Sequence, residues 1–261
     1  RTFGMSAKVK ENPLGFFGTG AKYSISIALR EGCEITLWRG LEKYTFSTAT
    51  VDSRGKGFDV VMMHCPEGDM EMPFTLDLGK HWEIWQAYRE LHSNTLDESG
   101  TITVGHPQPR EGYTIIAVKG EPMENAYHNR HTIFLTSTPI HQDENIEVHL
   151  GGSPYVYYRG VRVYDLVKPT LYTYNLKQTL YGITEDRTLK NGDSDLGWYL
   201  AKFLEKCEDA GLMQDLMLAP QTAFESGMAC YSSAATGAFL NTYAKLRQEG
   251  HALRPLYHRL R

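Results

Sequence analysis

Residues 79–98, GKHWEIWQAYRELHSNTLDE, carry the polar pattern on which the interpretation of this chain depends. Glu90, Asn94 and Asp97 are spaced i, i+4 and i+7, which places them in one column of a helix with 3.6 residues per turn. A largely separate apolar stripe would face a core; it consists of Ile84, Trp85, Ala87, Tyr88 and Leu91. Two carboxylates and a carboxamide in line suit binding of a metal ion and polarisation of a water molecule. A solvated polar face that matches this short pattern by accident is the alternative.

The composition is that of an ordinary globular protein, with 261 residues, 41% of them hydrophobic, and a formal net charge of −4. This length suits one large domain or two modest ones. The charge gives no general electrostatic reason to bind nucleic acid or an acidic membrane. No apolar run approaches the ~20 residues that span a bilayer, and no signal peptide is evident, so we expect a cytoplasmic protein that does not contact a membrane.

The cysteines are far apart in the sequence and form no C-x-x-C pair; they are Cys33, Cys65, Cys207 and Cys230. This spacing argues against a zinc cluster and fits reduced thiols in the cytosol. The chain opens at Arg1, directly in motif-like sequence, so we expect further sequence, including a strand, upstream of this residue.

A glycine-rich loop precedes the first predicted helix. Residues 14–22, LGFFGTGAK, lead into a helix predicted over about residues 20–31, with Gly32 at its end. Glycine allows close backbone approach, and the unpaired N–H groups of a first helical turn attract anions. Lys22, in that turn, adds a positive charge suited to a phosphate. A helix start that needs glycine only for packing is the alternative.

Period-two patterns predict a set of mostly antiparallel strands. These strands lie at residues 33–39, 44–51, 58–63, 101–104, 113–118, 132–136, 146–149, 155–158 and 161–164. Residues 65–78 are predicted as a loop, and helices are predicted over about 194–211 and 221–248. We therefore expect an α+β fold in which helices cover a mostly antiparallel sheet, as one domain over residues 1–192 with a helical C-terminal extension over residues 193–261.

Three short runs resemble motifs of the GHKL superfamily, which includes the gyrase, heat-shock chaperone, histidine kinase, MutL and MORC ATPases. RELHSNTLD at 89–97 looks like the N-box of that family, especially as it occurs in the heat-shock chaperones. FGMSAK at 3–8 and LGFFGTGAK at 14–22 look like the lid and the second glycine box of the MORC branch. In the family the N-box comes first, whereas here it follows the glycine box. The resemblance therefore implies a circularly permuted Bergerat-type two-layer α/β sandwich.

The resemblance implies an Mg²⁺-dependent ATP-binding protein that hydrolyses ATP slowly and switches its contacts with a partner when a lid closes. By matched position, Glu90 would be the general base, Asn94 would bind Mg²⁺, and Asp97 would support the nucleotide pocket through water. Ser6 and Lys8 would lie on the lid. The residues that would bind the phosphates are Gly15, Gly18, Thr19, Gly20 and Lys22.

One family segment has no match in this chain, namely the Asp-x-Gly-x-Gly run whose Asp accepts a hydrogen bond from the adenine amino group. Residues 118–121, VKGE, follow the N-box at a comparable place but lack the Asp, so the base identity stays open. A nucleotide-dependent binding protein that does not hydrolyse is the alternative function; Glu90 argues against it, because a pure binder needs no base. The client, a protein or a nucleic acid, also stays open. The C-terminal helices are either the arm of a homodimer or a cap on the sheet.

The histidines of the second half suggest another chemistry. His128, His131 and His141 are loosely clustered, and His131 with His149 suggests the paired-histidine chemistry of phosphoesterases. Their spacing is irregular, and no carboxylate pairing is evident in the sequence. The sequence therefore favours surface or strand histidines.

Overall fold

A computed structural model describes residues 20–53, 55–184, 186–228 and 235–254 of the chain. The chain forms two compact units, Arg1–Arg130 and His131–Arg261, so the boundary differs from the one expected after residue 192. The difference arises because the predicted C-terminal helices share one hydrophobic core with the strands from residue 146 onward. Both units combine helices with a five-stranded sheet, which confirms the expected α+β class.

The described part of the first unit contains three helices and five strands. They are α1 (Gly20–Arg30), β1 (Glu34–Arg39), β2 (Glu42–Ser53), β3 (Lys56–Cys65), β4 (Gly68–Thr75), α2 (Ile84–Asp97), β5 (Thr114–Lys119) and α3 (Glu121–His128). The sheet is antiparallel throughout, in the order β4-β3-β2-β1-β5. Its core side packs against Ile25 of α1 through residues such as Ile35, Tyr44 and Val61. The predictions of α1, β1, β2, β3, α2 and β5 are confirmed to within a few residues.

Local signals determine where the two central helices begin and end. Gly32 has a φ of 73°, which glycine adopts without Cβ strain, and its N–H donates to the carbonyl of Leu29 to end α1. A capping box opens α2, because the Gln86 side chain accepts a hydrogen bond from the backbone N–H of Glu83 at 2.8 Å, while the Glu83 side chain accepts one from Gln86.

The prediction of a loop over residues 65–78 is wrong, because this segment contains strand β4. Pro73 favours a loop in the sequence, because proline has no N–H to donate to a neighbouring strand. β4 lies at the edge of the sheet, and its pairing with β3 is irregular between Val60 and Met62, which accommodates the proline. The predicted strand at 101–104 is also wrong, since these residues are irregular.

The second unit has a mixed sheet covered by helices. Its elements are β6 (His141–Gln142), β7 (Ile146–His149), β8 (Tyr155–Tyr158), β9 (Val161–Asp165), β10 (Thr173–Leu176), α4 (Gly192–Lys206), α5 (Ala210–Met217) and α6 (Gly237–Gln248), with a short 3-10 helix at Phe224–Gly227. A further 3-10 helix, Arg130–Thr132, includes the boundary between the two units. The strand order is β6-β7-β10-β8-β9, and only the β10–β8 pair among these strands is parallel. The predictions of β7, β8 and β9 are confirmed; residues 132–136 form an isolated bridge at Phe134 and no extended strand.

The C-terminal helices are part of this second unit and do not form a separate extension. Ile146 and Leu176 of the sheet share a core with Leu200 of α4 and Phe239 of α6, all of them fully buried. The helix expected over 194–211 is α4, which ends earlier because the chain leaves the helical conformation after Lys206. α5 begins behind the Asp209 cap and lies mostly beyond the expected range. No helix in the described ranges combines the length and the apolar character that spanning a membrane requires.

Candidate functional site

The two motif helices of the first unit pack directly against each other. The Ser24 hydroxyl of α1 contacts the Gly20 carbonyl at 2.9 Å and the Ala87 carbonyl of α2 at 3.2 Å. Ser24 and Ala87 are both fully buried, and their small side chains let the helix axes approach closely. This contact brings the start of α1 against the middle of α2.

The carboxylate of Glu90 lies at the N-terminus of α1. A Cβ atom added to Gly20 would lie 2.6 Å from Glu90 Oε2, so a larger residue at position 20 would force the Glu90 carboxylate to move. The first N–H groups of a helix have no partner within the helix and favour negative charge nearby. Only 2% of the Glu90 surface is exposed, which argues against a solvated polar face at this position.

Arg89 is the polar neighbour that the sequence analysis missed. Its Nε lies 3.4 Å from Glu90 Oε1, and the residue is fully buried. The guanidinium carbon lies 5.6 Å from the ring centroid of Trp82 and 5.3 Å from that of Trp85, which is within the range of cation–π attraction. The four-residue spacing between Trp85 and Arg89 is the sequence signal that indicates this contact.

The buried face of α2 is more polar than the predicted apolar stripe. The buried residues of this helix are Gln86, Ala87, Tyr88, Arg89, Glu90 and Ser93. Three members of the predicted stripe, Ile84, Trp85 and Leu91, are only half-buried. A helix that buries this many polar groups has to satisfy them, which is typical of functional sites and of structural polar networks.

The structure describes only some of the remaining predicted site residues. Asn94 and Asp97 follow Glu90 on α2 and are half-buried, and Lys22 is half-buried in the first turn of α1. The predicted residues Ser6, Lys8, Gly15, Gly18 and Thr19 lie outside the described residues. In the part of the chain that the structure describes, no group of three or more His, Cys, Asp and Glu side chains is placed to hold a metal ion.

The other flank of α2 is aromatic. The Tyr88 hydroxyl and His92 Nδ1 are 2.8 Å apart, and the Tyr127 ring of α3 packs edge-on against Tyr88. Burial, partly opposed by the charge of Arg130, raises the pKa of Tyr88 to about 12. Burial, reinforced by the same charge, lowers the pKa of His92. This flank therefore offers neutral aromatic groups at neutral pH.

The histidines of the second unit have acidic neighbours that the sequence analysis did not identify. His141 Nε2 lies 3.3 Å from Asp209 Oδ2, and His149 Nε2 lies 3.6 Å from Glu147 Oε2. Each imidazole thus contacts its own carboxylate, an arrangement that gives no support to a shared histidine pair.

Comparisons of this chain with protein-family models, with curated proteins and with solved structures find no match. The resemblance to the GHKL superfamily therefore depends on the sequence motifs.

Proposed function

We propose that the first unit is a circularly permuted, Bergerat-type ATP-binding domain of the GHKL kind that binds ATP with Mg²⁺ and hydrolyses it slowly. The observation that carries the proposal is the buried carboxylate of Glu90 against Gly20, the first residue of α1. A circular permutation moves the chain break but preserves spatial neighbours. The N-box helix and the glycine-box helix then have to pack together, as α2 and α1 do.

In this proposal, Glu90 orients and activates a water molecule for attack on the γ-phosphate. Its burial limits competing contacts with bulk water, and the ion pair with Arg89 fixes the orientation of its carboxylate. Lys22, in the first turn of α1, binds the phosphates together with the backbone N–H groups of that helix start. Asp97, near the end of α2, supports the nucleotide pocket through water.

The donor set suits magnesium. Mg²⁺ keeps several water ligands and takes few protein oxygens, and the half-buried amide of Asn94 supplies one such oxygen one turn beyond Glu90. The ion would supply positive charge against the negative charge of the phosphates. Hydrolysis of this kind depends on positioning, so lid closure over the nucleotide would control turnover and couple it to contacts with a protein or nucleic-acid client.

The second candidate is a nucleotide-dependent binding protein that does not hydrolyse ATP. The same contact gives this candidate its basis, because a carboxylate at a helix N-terminus also stabilises that helix through its dipole. Glu90 would then order α1 without acting on water. Both candidates bind ATP, but only the first hydrolyses it.

Thermal unfolding in the presence of Mg-ATP or Mg-GTP tests binding. A ligand of the native state adds about 2.7 kcal/mol to the free energy of unfolding at a hundredfold excess over Kd. We expect a saturable rise in Tm for the wild type and its loss in Asn94→Ala. Asn125→Ala, at an exposed position of α3, is the matched control and keeps the rise. Absence of any rise with either nucleotide would overturn the proposal, and a larger rise with ATP would show that adenine is recognised.

Phosphate release by Glu90→Gln separates the two candidates. We expect this variant to keep the ATP-dependent rise in Tm while its hydrolysis falls by about 10²- to 10⁴-fold, the usual contribution of a general base. Glu98→Gln removes an exposed carboxylate just beyond α2 and leaves turnover unchanged. If Glu90→Gln hydrolyses ATP at the wild-type rate, the assignment of the base is wrong; binding without turnover in the wild type would establish the second candidate.

A further inference from the structure

A second group of reactive side chains lies on the sheet of the first unit. Ser47 Oγ is 2.7 Å from His64 Nε2, and His64 Nδ1 is 2.8 Å from Asp69 Oδ1. A hydroxyl, an imidazole and a carboxylate are thus joined in series by two contacts of hydrogen-bond length. None of these residues belongs to the ATP site proposed above.

The strand register brings the three residues together. His64 of β3 is the direct cross-strand partner of Asp69 on β4, and its partner on β2 is Thr45, two residues before Ser47. Directly opposed and diagonal residues of an antiparallel pair share one face and lie within reach of each other. Tyr44 and Met63, one position off this alternation, are buried in the core, so the series lies on the face away from the core.

The chemical role of His64 depends on which partner each of its two ring nitrogens has. A carboxylate next to Nδ1 holds the ring proton on that nitrogen, and the unprotonated Nε2 then accepts the hydrogen bond of the Ser47 hydroxyl. We propose that Ser47 is a nucleophile, that His64 is its general base, that Asp69 positions the imidazole, and that this face of the sheet cleaves small carboxylic esters.

The reaction balances with these groups and water. Ser47 Oγ bonds to the ester carbonyl carbon and passes its proton to His64 Nε2, which delivers it to the departing alcohol as the ester C–O bond breaks. Water then attacks the acyl carbon and gives a proton to Nε2. This proton returns to Ser47 as the serine–acyl bond breaks and the carboxylic acid leaves.

Exposure limits the class of substrate. The side chains of His64 and Asp69 are 37% and 64% exposed, so reagents reach them from solvent, and water screens the charge that develops during the reaction. Such a site acts on esters whose alcohol is a good leaving group, because these esters need the least stabilisation of the developing charge.

A similar series in the second unit provides an internal comparison. Ser137 Oγ is 2.9 Å from His149 Nδ1, but His149 Nε2 is 3.6 Å from Glu147 Oε2, which is too long for a hydrogen bond. Glu147 Oε2 instead accepts a hydrogen bond from Asn175 at 2.6 Å, and His149 is 2% exposed. Here the carboxylate does not hold the imidazole, and a reagent does not reach it, so we expect Ser137 to be inert.

Labelling of the whole chain with a fluorophosphonate tests this difference. The reagent bonds its phosphorus to an activated serine oxygen and releases fluoride. We expect peptide mass spectrometry to find the label on Ser47, and labelling to be lost in Ser47→Ala and unchanged in Ser137→Ala. An unlabelled wild type, or equal labelling in Ser47→Ala, would overturn the proposal.

Hydrolysis of p-nitrophenyl acetate provides the second readout. We expect Ser47→Ala and His64→Gln to lower the rate by about a hundredfold or more, because a general base contributes at least that much. Asp69→Asn should lower it as well and should change the ¹⁵N signals by which NMR reports the protonated nitrogen of His64. All three side chains lie on the sheet face away from the core, so the Tm should stay at the wild-type value. A wild-type rate in His64→Gln, or unchanged ¹⁵N signals in Asp69→Asn, would contradict the assigned roles. These results do not depend on whether the first unit binds ATP.

Discussion

The buried charged side chains of the two units differ in what they contact. In the second unit, Glu225 accepts hydrogen bonds from the backbone N–H of Leu171 and from the Tyr174 hydroxyl, both at 2.8 Å. Asp195 accepts one from the backbone N–H of Leu180. Both carboxylates thus hold distant segments of chain in place, which is an architectural role that any stable acceptor of the right shape could fill.

The first unit arranges its buried charges differently. Arg89 and Glu90 are neighbours on one helix, and the Glu90 carboxylate faces Gly20, the glycine that begins α1. Burying a charge pair costs free energy, because both charges lose their hydration. Glu225 and Asp195 of the second unit thus hold distant segments of chain, whereas the buried pair of the first unit lies where a ligand is proposed to bind.

The largest effect that we expect comes from breaking the pair of the first unit. Arg89→Ala removes the positive partner of a buried carboxylate and the contacts with Trp82 and Trp85, which should lower the free energy of unfolding by about 3–5 kcal/mol. Urea denaturation measures this change. Arg39→Ala, at an exposed position of β1, should cost no more than about 0.5 kcal/mol. A loss as small as that of the control would mean that the pair is not buried in solution.

An intermediate effect should come from the second unit. Tyr174→Phe removes a buried donor to Glu225 and should lower the free energy of unfolding by about 1.5–3 kcal/mol, the range for hydrogen bonds to charged groups. Tyr172→Phe removes a similar bond to Asp215, but this bond is exposed, so its loss should cost less. The order of the two losses can be read from their urea midpoints. Equal losses would remove the distinction between buried and exposed acceptors.

The sequence alone predicts most individual helices and strands, but it does not predict which strands distant in the chain pair with each other. The strands β1 to β3 and β7 to β9 have alternating patterns and turn residues within a short window, and α1 has its own glycine stop. The parallel pairing of β10 with β8 has no local signal, because it is formed by residues that are distant in the chain. Residues 121–128, which form α3, received no helix prediction although Pro122 suits a first helical turn.

The candidate site likewise has one part that the sequence predicts and one part that it does not. Spacing alone placed Glu90, Asn94 and Asp97 on one helix, which α2 confirms. The burial of Glu90 and its approach to Gly20 depend on how α1 and α2 pack, and no spacing within either motif specifies this packing. The role of Arg89 depends on the same packing.

The smallest effect that we expect is a pH dependence in the second unit. Burial raises the pKa of Asp195 above its ordinary value of 3.8, against the opposing influence of the Leu180 N–H. The unfolded chain then loses this proton at a lower pH than the folded chain does. Stability should therefore fall as pH rises from about 3.8 to the higher folded value, and should stay reduced above it.

Asp195→Asn isolates this contribution, because its side-chain oxygen can still accept the Leu180 N–H while the titrating group is gone. Unfolding measured from pH 3 to pH 7 should show that the variant is as stable as the wild type at the acid end and slightly more stable at neutral pH. Glu208→Gln, at an exposed position, should follow the wild-type curve. If Asp195→Asn instead loses stability at neutral pH, the ionised carboxylate contributes favourably to the fold. In that case the second unit would also maintain a buried charge, and the contrast between the units would reduce to where each charge lies.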